Sequence, residues 1–547
     1  MVTTRIVTVA MDRIFGRLIS SRRARQLAKK GRVPFHSGQI MNRKSVCWAC
    51  LGLLTLVAVS AALRFGYNSV LRYGNGDEYH YRLQIQTLFD RGWNQFPQLV
   101  RTHLANEPDY PAPYRWGYLA IGHLACELRH VCDERSLAWI STLSGIACVG
   151  LIAWLGARLF RPKTALVATA LAVTSPLHME LGRRAYADEL HTAGLLMVLV
   201  ALAGVAIEPK SRRGSMARGL WVGVALLALV LVWSIKESIV FFLPALTVWI
   251  VWLRRPPRLK REDFLLLLLP PAVAIMGFAW LNHGIAPLVS LLRATRLSFL
   301  HPYSTLNQYG PPHRPLIELF TLSPWVFGLL PIVPFAAFGM AFQRPSNAEQ
   351  PLNDDVSHRH AQALTLSFAL IFVAFLVLPK NVRFYAVLDP LARLLVAWFV
   401  CEILPVGRTL SLGWWLAILL CHAAFELALF HRTFVTSSVT DPTSAAIFHA
   451  LQMVPNDGVE KNWHPPIVVL LCSLTCVCAA WISAFLSKFS RKSLLLAAIL
   501  SISALLLPQL FRPFGDVLAR TSLVFSQVSG MPLSGPGSRH SPPHARC

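Results

Sequence analysis

Apolar residues in this chain gather in long runs and not on one face of a helical or strand period. Val46–Ala62, Thr164–Leu177, Leu190–Ala206, Leu220–Val232 and Phe264–Leu281 are the clearest. A bilayer core takes about 20 apolar residues per helix, and these runs meet or approach that length. They predict spans at 136–157, 164–181, 189–207, 219–235, 238–253, 264–282, 320–342, 362–378, 384–404, 410–430, 465–487 and 493–511. With the first run, that is about thirteen helices. No soluble domain of any size stands between them. The fold expected is an all-α polytopic membrane bundle.

Orientation turns on one short apolar stretch, Trp116–Leu128, which His123 and Glu127 interrupt. If it crossed, the basic loop Arg254–Arg261 would face outward. If it lies along the outer surface, Arg158–Lys163, Lys210–Arg218 and Arg254–Arg261 all become cytoplasmic. Basic loops stay inside, which favours the second arrangement. Residues 66–135 then form one long external loop with interfacial helices. Other external segments are 182–188, 236–237, 283–319, 379–383 and 431–464.

Composition agrees. The 547 residues are 54% hydrophobic and only 14% charged, against about a quarter charged in soluble domains. The net charge of +25 raises the question of nucleic acid, but Lys and Arg sit in short loops beside apolar runs, where they orient spans. Residues 1–44 carry eleven Lys or Arg and one acid, Asp12, and form a basic cytoplasmic arm. Met41 opens a sequence that also has the form of a protein start, so 1–40 is either an extension ahead of it or an arm on anionic lipid. A transmembrane module fills 45–404, further helices 405–511, and a Ser/Pro/Gly/Arg-rich disordered tail 512–547. Of eleven cysteines, Cys472, Cys476 and Cys478 lie in an apolar run without His or carboxylate beside them, which speaks against a metal site. Cys126 and Cys132 can pair in an oxidising compartment.

In this topology one face collects polar residues in short loops: Asp77-Glu78-Tyr79-His80, Arg183-Arg184 with Asp188-Glu189, Lys236-Glu237, and Lys380-Asn381-Val382-Arg383. Cations outside run against the orientation bias, so an anion there explains them. Each also has an ordinary explanation. Arg184 and Asp188 have the i,i+4 spacing of a helix-surface pair, Lys236 and Arg383 can snorkel to headgroups, and Asp77 can begin a surface helix. Four such clusters in sequence need four separate explanations of that kind.

The ordered series resembles the membrane-embedded GT-C glycosyltransferases of the protein O-mannosyltransferase and lipid A aminoarabinose transferase group (glycosyltransferase family 39). The resemblance rests on Gly76-Asp77-Glu78-Tyr79, on Leu159–Leu166, on Ser175-Pro176 through Arg183 to Asp188, on Lys236, and on Lys380-Asn381-Val382-Arg383-Phe384-Tyr385 leading to Pro390. It covers about residues 45–400, by order and spacing more than by identity. It implies transfer of a sugar from a polyprenyl-phosphate donor to a lipid, glycan or protein acceptor on the non-cytoplasmic side of the inner membrane. Asp77 matches the family's catalytic base, Glu78 its companion and Asp188 the second carboxylate. Arg183, Arg184, Lys236, Lys380 and Arg383 are the candidates for the donor phosphate. The family often has a Glu-Lys-Pro or Pro-Pro element late in the first external loop. Here the segment reads Asp109-Tyr110-Pro111-Ala112-Pro113-Tyr114-Arg115, which keeps the prolines and where only Arg115 supplies the positive charge. His301, His313 and Arg314 are further candidates for substrate contact. Some relatives bind a divalent metal near the Asp, and the sequence leaves metal dependence open, as it does the sugar, the acceptor and the carrier length. The competing class is a transporter or flippase of lipid-linked glycans, which needs ionisable groups deep within spans. Glu180, Glu402, His422 and Glu426 are the candidates. A third class is a structural subunit with a decayed site.

Overall fold

A computed structural model describes residues 43–67, 76–105, 112–207, 212–254, 261–300, 315, 319–320, 322–342, 352–377, 382–404 and 410–430. The basic arm, Lys380, the three loop residues His301, His313 and Arg314, the cysteine trio, the spans at 465–487 and 493–511 and the tail lie outside the described residues. Every regular element among the described residues is helical. In hydrocarbon a backbone polar group finds its partner most simply along its own helix.

α1 (Arg43–Gly66) is followed by three shorter helices, α2 (Gly76–Arg91), α3 (Phe96–Ala105) and α4 (Trp116–Arg129). The bundle resumes with α5 (Glu134–Leu159), α6 (Pro162–Val173), α7 (Pro176–Leu181), α8 (Ala187–Ile207) and α9 (Arg212–Ile235). Next come α10 (Leu243–Leu253), α11 (Arg261–Leu281) and α12 (Ala286–Leu300). The last are α13 (Pro324–Leu329), α14 (Val333–Phe342), α15 (Leu352–Val377), α16 (Leu388–Trp398) and α17 (Leu412–Phe430). Seven helices among the described residues are long and apolar enough to cross a membrane: Ala49–Gly66, Glu134–Leu159, Ala187–Ile207, Met216–Ile235, Asp263–Leu281, Arg383–Ile403 and Gly413–Phe430.

The span expected at 164–181 is divided. Ser175 caps α7 by accepting from the His178 N–H at 3.4 Å, and Pro176 takes the first helical position, where its missing N–H costs nothing. Lys236 breaks the next hairpin with an extended backbone (φ −156°) between α9 and a 3-10 turn at Glu237–Phe242. α4 has 14 residues, so it measures about 21 Å, short of the roughly 30 Å hydrocarbon core.

α8 is the axis of the bundle. Nearly every residue from Ala187 to Val205 is buried, and α5 and α9 flank it. α1 lies on α5 and α6, α10 on α15, and α16 on α6 and α15. A second, smaller core docks the loop helices onto one end of this bundle. Tyr81, Ile85 and Leu88 of α2, Phe96 and Val100 of α3, and Tyr118 and Leu119 of α4 close over Leu137, Ile140, Ile235 and Phe278. Trp116 Nε1 donates to the Ala274 carbonyl at 3.1 Å. A Cβ on Gly277 would stand 2.6 Å from the Trp116 ring, so glycine there admits the indole. A Cys126–Cys132 disulfide closes the end of α4. Asp133 then caps α5, accepting from Ser136 N–H at 2.7 Å and pairing with Arg129 at 3.0 Å.

Candidate active site

Asp77 and Glu78 occupy the first turn of α2, where a carboxylate meets the positive end of the helix dipole. Neighbours on a helix point about 100° apart, and these two diverge accordingly. Asp77 Oδ2 accepts from Arg383 Nη1 at 2.8 Å and its side chain keeps 19% exposure. Glu78 is buried. It accepts from Arg184 Nε and Nη2 at 2.9 and 2.7 Å and from the Ala185 N–H at 2.9 Å. That is a bidentate fork plus a main-chain donor, the strong form of a carboxylate contact.

The second carboxylate begins α8. Asp188 Oδ1 stands 2.5 Å from Lys236 Nζ, with both side chains less than 10% exposed. Asp188 also interacts electrostatically with Arg383 and Arg115. Lys236 lies 4.4 Å from the Phe384 ring, and Arg383 lies 4.4 Å from the Tyr186 ring. The other face of this set is Arg115, which donates to Glu237 at 3.1 and 2.6 Å and to Tyr81 Oη at 2.6 Å. Asp77, Asp188, Lys236, Arg383 and Arg115 thus converge from five stretches of chain at one end of the bundle.

Burial lowers the pKa of the Lys236 ammonium, against the opposing pull of Asp188. Burial also works against Arg115, but Glu237 and Tyr81 outweigh it and its pKa rises. Burial pushes the Tyr81 phenol up, so it stays protonated.

Arg184 and Asp188 do not pair as their i,i+4 spacing allows. Arg184 takes Glu78, bonds the Tyr186 hydroxyl at 2.8 Å and lies 4.9 Å from that ring. Tyr186 therefore has Arg184 and Arg383 over one ring, an arrangement favoured by the ring's negative faces. Arg183 donates to Glu180 at 2.5 Å and stands 5.3 Å from the Phe430 ring, so these contacts run toward α17.

A second polar cluster lies within the spans, and the sequence pattern signalled only part of it. Arg393 of α16 donates to Asp389 at 2.8 Å and to Glu426 at 2.9 and 3.0 Å. Ser323, Thr174 and His422 also meet Glu426. Ser175 donates to Asp389 at 2.8 Å, and His178 bonds Glu189 at 2.8 Å. Arg393 stands inside an apolar run, and that was the available signal, since a charge in a span has a partner. Cys148, His178 and Glu189 bring ligand atoms within 4.8 Å of one another. Arg64 shares that space: a Cβ on Gly145 would meet Arg64 Nε at 2.6 Å and Glu189 Oε1 at 2.9 Å. A guanidinium beside the carboxylate and an imidazole already bonded to it satisfy this group without a metal. Glu402 belongs elsewhere, accepting from Thr164 at 2.7 Å and Ser357 at 2.6 Å.

Residues 117–280, from α4 to the end of α11, match the family described as dolichyl-phosphate-mannose-protein mannosyltransferase. The segment holds Arg183, Arg184, Asp188 and Lys236; Asp77, Arg115 and Arg383 fall outside it. No curated protein sequence matches the chain. Among solved structures, ArnT from Cupriavidus metallidurans bound to undecaprenyl phosphate is 15% identical, with 87% of this chain and 79% of that one covered and a TM-score of 0.45. The archaeal oligosaccharyltransferase AglB from Archaeoglobus fulgidus, in complex with an inhibitory peptide and a dolichol-phosphate, is 15% identical. There 72% of this chain and 56% of that one are covered, with a TM-score of 0.44. The family match is confined to the segment from α4 to α11, and over that segment the chain is similar to those mannosyltransferases.

Proposed function

We propose that the chain moves a sugar from a polyprenyl-phosphate carrier to an acceptor on the non-cytoplasmic face of the inner membrane, with Asp77 as general base. The observation that carries this reading is the paired arrangement Asp77–Arg383 and Asp188–Lys236. Each carboxylate has a cation at hydrogen-bond distance, so one cluster holds both a proton acceptor and a phosphate site.

An acceptor hydroxyl or amine attacks the anomeric carbon, and its proton passes to Asp77. The bond from that carbon to the phosphate oxygen breaks, and polyprenyl phosphate leaves with the electron pair. Charge then builds on the phosphate, where contacts already in place act most strongly. Arg383 and Lys236 are the nearest cations, with Arg115 behind them and Lys380 close in sequence. Arg383 releases Asp77 as it turns to the phosphate, which frees the carboxylate for the acceptor's proton. Asp188 holds Lys236 and helps orient the acceptor. Glu78 supports its neighbour: with Arg184 it fixes the start of α2 to the turn before α8. Arg183 reaches the phosphate only by leaving Glu180 and Phe430, the partners it holds in that same turn. The Cys126–Cys132 disulfide supports an oxidising compartment for this end of the bundle.

The transporter reading draws on the in-span cluster of Arg393, Asp389 and Glu426. Those charges are taken up by one another, which suits a structural fastening better than a path. The test is transfer from a polyprenyl-phosphate sugar by the full chain in lipid nanodiscs. Turnover in the parent and its loss in Asp77→Asn, at equal folded protein, supports the proposal. Full specific activity in Asp77→Asn overturns it.

A further inference from the structure

α2 carries two faces. Glu78, Tyr81, Ile85 and Leu88 are buried. Beside them His80, Gln84, Thr87 and Arg91 follow at i, i+4, i+7 and i+11, and Asp77 stands one turn ahead of His80 on the same side. α3 has a matching face in Gln98, Thr102 and His103, while its Phe96, Pro97 and Val100 turn into the core. Between the two faces lies a groove of about 310 Å³, at the small end of the roughly 300–1,000 Å³ that small-molecule sites occupy. At 1.5 Å per residue, it begins about 5 Å along the helix from Asp77 and runs about 16 Å to Arg91.

The lining chooses the ligand. Eight of ten lining residues are polar, only Leu83 and Leu99 are aliphatic, and none is acidic. Apart from the histidines, Arg91 at the far end brings the one charge. Amide, hydroxyl and imidazole groups each give and accept hydrogen bonds without charge, which is what a neutral polyol needs. An anionic lipid head would call for more cations along the groove than Arg91. A peptide is usually held by a sheet edge or apolar pockets; the described residues contain no strand, and this groove holds two leucines.

We propose that the groove between α2 and α3 is the acceptor site and that the acceptor is a neutral saccharide, whose chain lies along α2 with the reacting hydroxyl at Asp77. This rests on the glycosyl-transfer reading and narrows its acceptor to one chemical class.

The test is photocrosslinking of the full chain in living cells, with p-benzoylphenylalanine in place of Leu83, which lines the groove and is 48% exposed. The same probe in place of Leu227, 74% exposed on α9, reports the background. The expected product is an adduct that periodate and hydrazide label as carbohydrate, absent with the probe at 227. Gln84→Ala together with Gln98→Ala should reduce it about tenfold, since two neutral hydrogen bonds contribute about 1–3 kcal/mol in all. Asp77→Asn should leave it in place, because binding does not need the base. A polypeptide adduct, a polyprenyl-phosphate adduct, or no adduct above background overturns the proposal. Failure of transfer as such is read separately in nanodiscs, so the two ideas fail by different measurements.

Discussion

Arg383 Nη1 stands 2.8 Å from Asp77 Oδ2 across 306 positions of sequence. The contact joins the start of the first loop helix to the turn before α16. It brings a cation to a carboxylate that is more exposed than Asp188, 19% against 9%.

Asp77→Asn should reduce transfer by about 10²–10⁴, the usual contribution of a general base. Asn retains the shape and one acceptor oxygen but takes no proton near neutral pH. The measurement is turnover per folded molecule; a fall in folded yield with unchanged specific activity would assign Asp77 to structure instead.

Arg383→Ala should weaken donor use by about 10- to 150-fold in kcat/KM, since hydrogen bonds to charged groups contribute about 1.5–3 kcal/mol. Arg383→Lys should recover only part, because an ammonium lacks the planar fork that grips phosphate at two points. Equal kinetics for parent and Arg383→Ala would remove Arg383 from the donor site.

Lys236 should give the alkaline limb of the pH profile. Burial holds its pKa below that of a free lysine, so its charge is lost earlier as pH rises. Donor affinity should therefore fall with rising pH before ordinary lysines titrate. Lys236→Arg should shift that limb upward, as a guanidinium stays charged. A limb unchanged by Lys236→Arg would assign it to another group.

Glu78→Gln and Arg184→Ala should act on stability more than on chemistry. Removing one member of a buried pair typically costs about 3–5 kcal/mol, and Glu78 also holds the Ala185 N–H. Thermal unfolding in detergent should fall sharply in both, and the folded fraction should keep measurable transfer. Loss of all transfer at unchanged stability would place Glu78 among the catalytic groups.

Orientation is open to direct measurement. Cysteine placed at Tyr79, 47% exposed, or at Leu128, 74% exposed, should react with impermeant reagent from outside. A reporter after His130 should read external and one within 255–260 cytoplasmic. Protection of both cysteines would reverse the topology.

The sequence by itself determined that this chain lives in a membrane as helices, and which loops carry charge. Both are local properties. About 20 apolar residues choose hydrocarbon wherever they stand, and Pro176 or Lys236 interrupts a helix whatever lies opposite. It also placed Asp77, Asp188, Lys236 and Arg383 among the candidates, because ionisable groups between spans need a reason. Only the tertiary structure decided who meets whom. Arg184 has Asp188 at i,i+4 and Glu78 106 positions away, and it takes Glu78. A surface helix pair contributes about 0.2–0.5 kcal/mol, whereas leaving the buried Glu78 unpaired costs several times more. The Arg393–Glu426 pair was hidden for the same reason. It joins α16 to α17, and the partnership exists only once packing has excluded water and made an unmatched charge expensive.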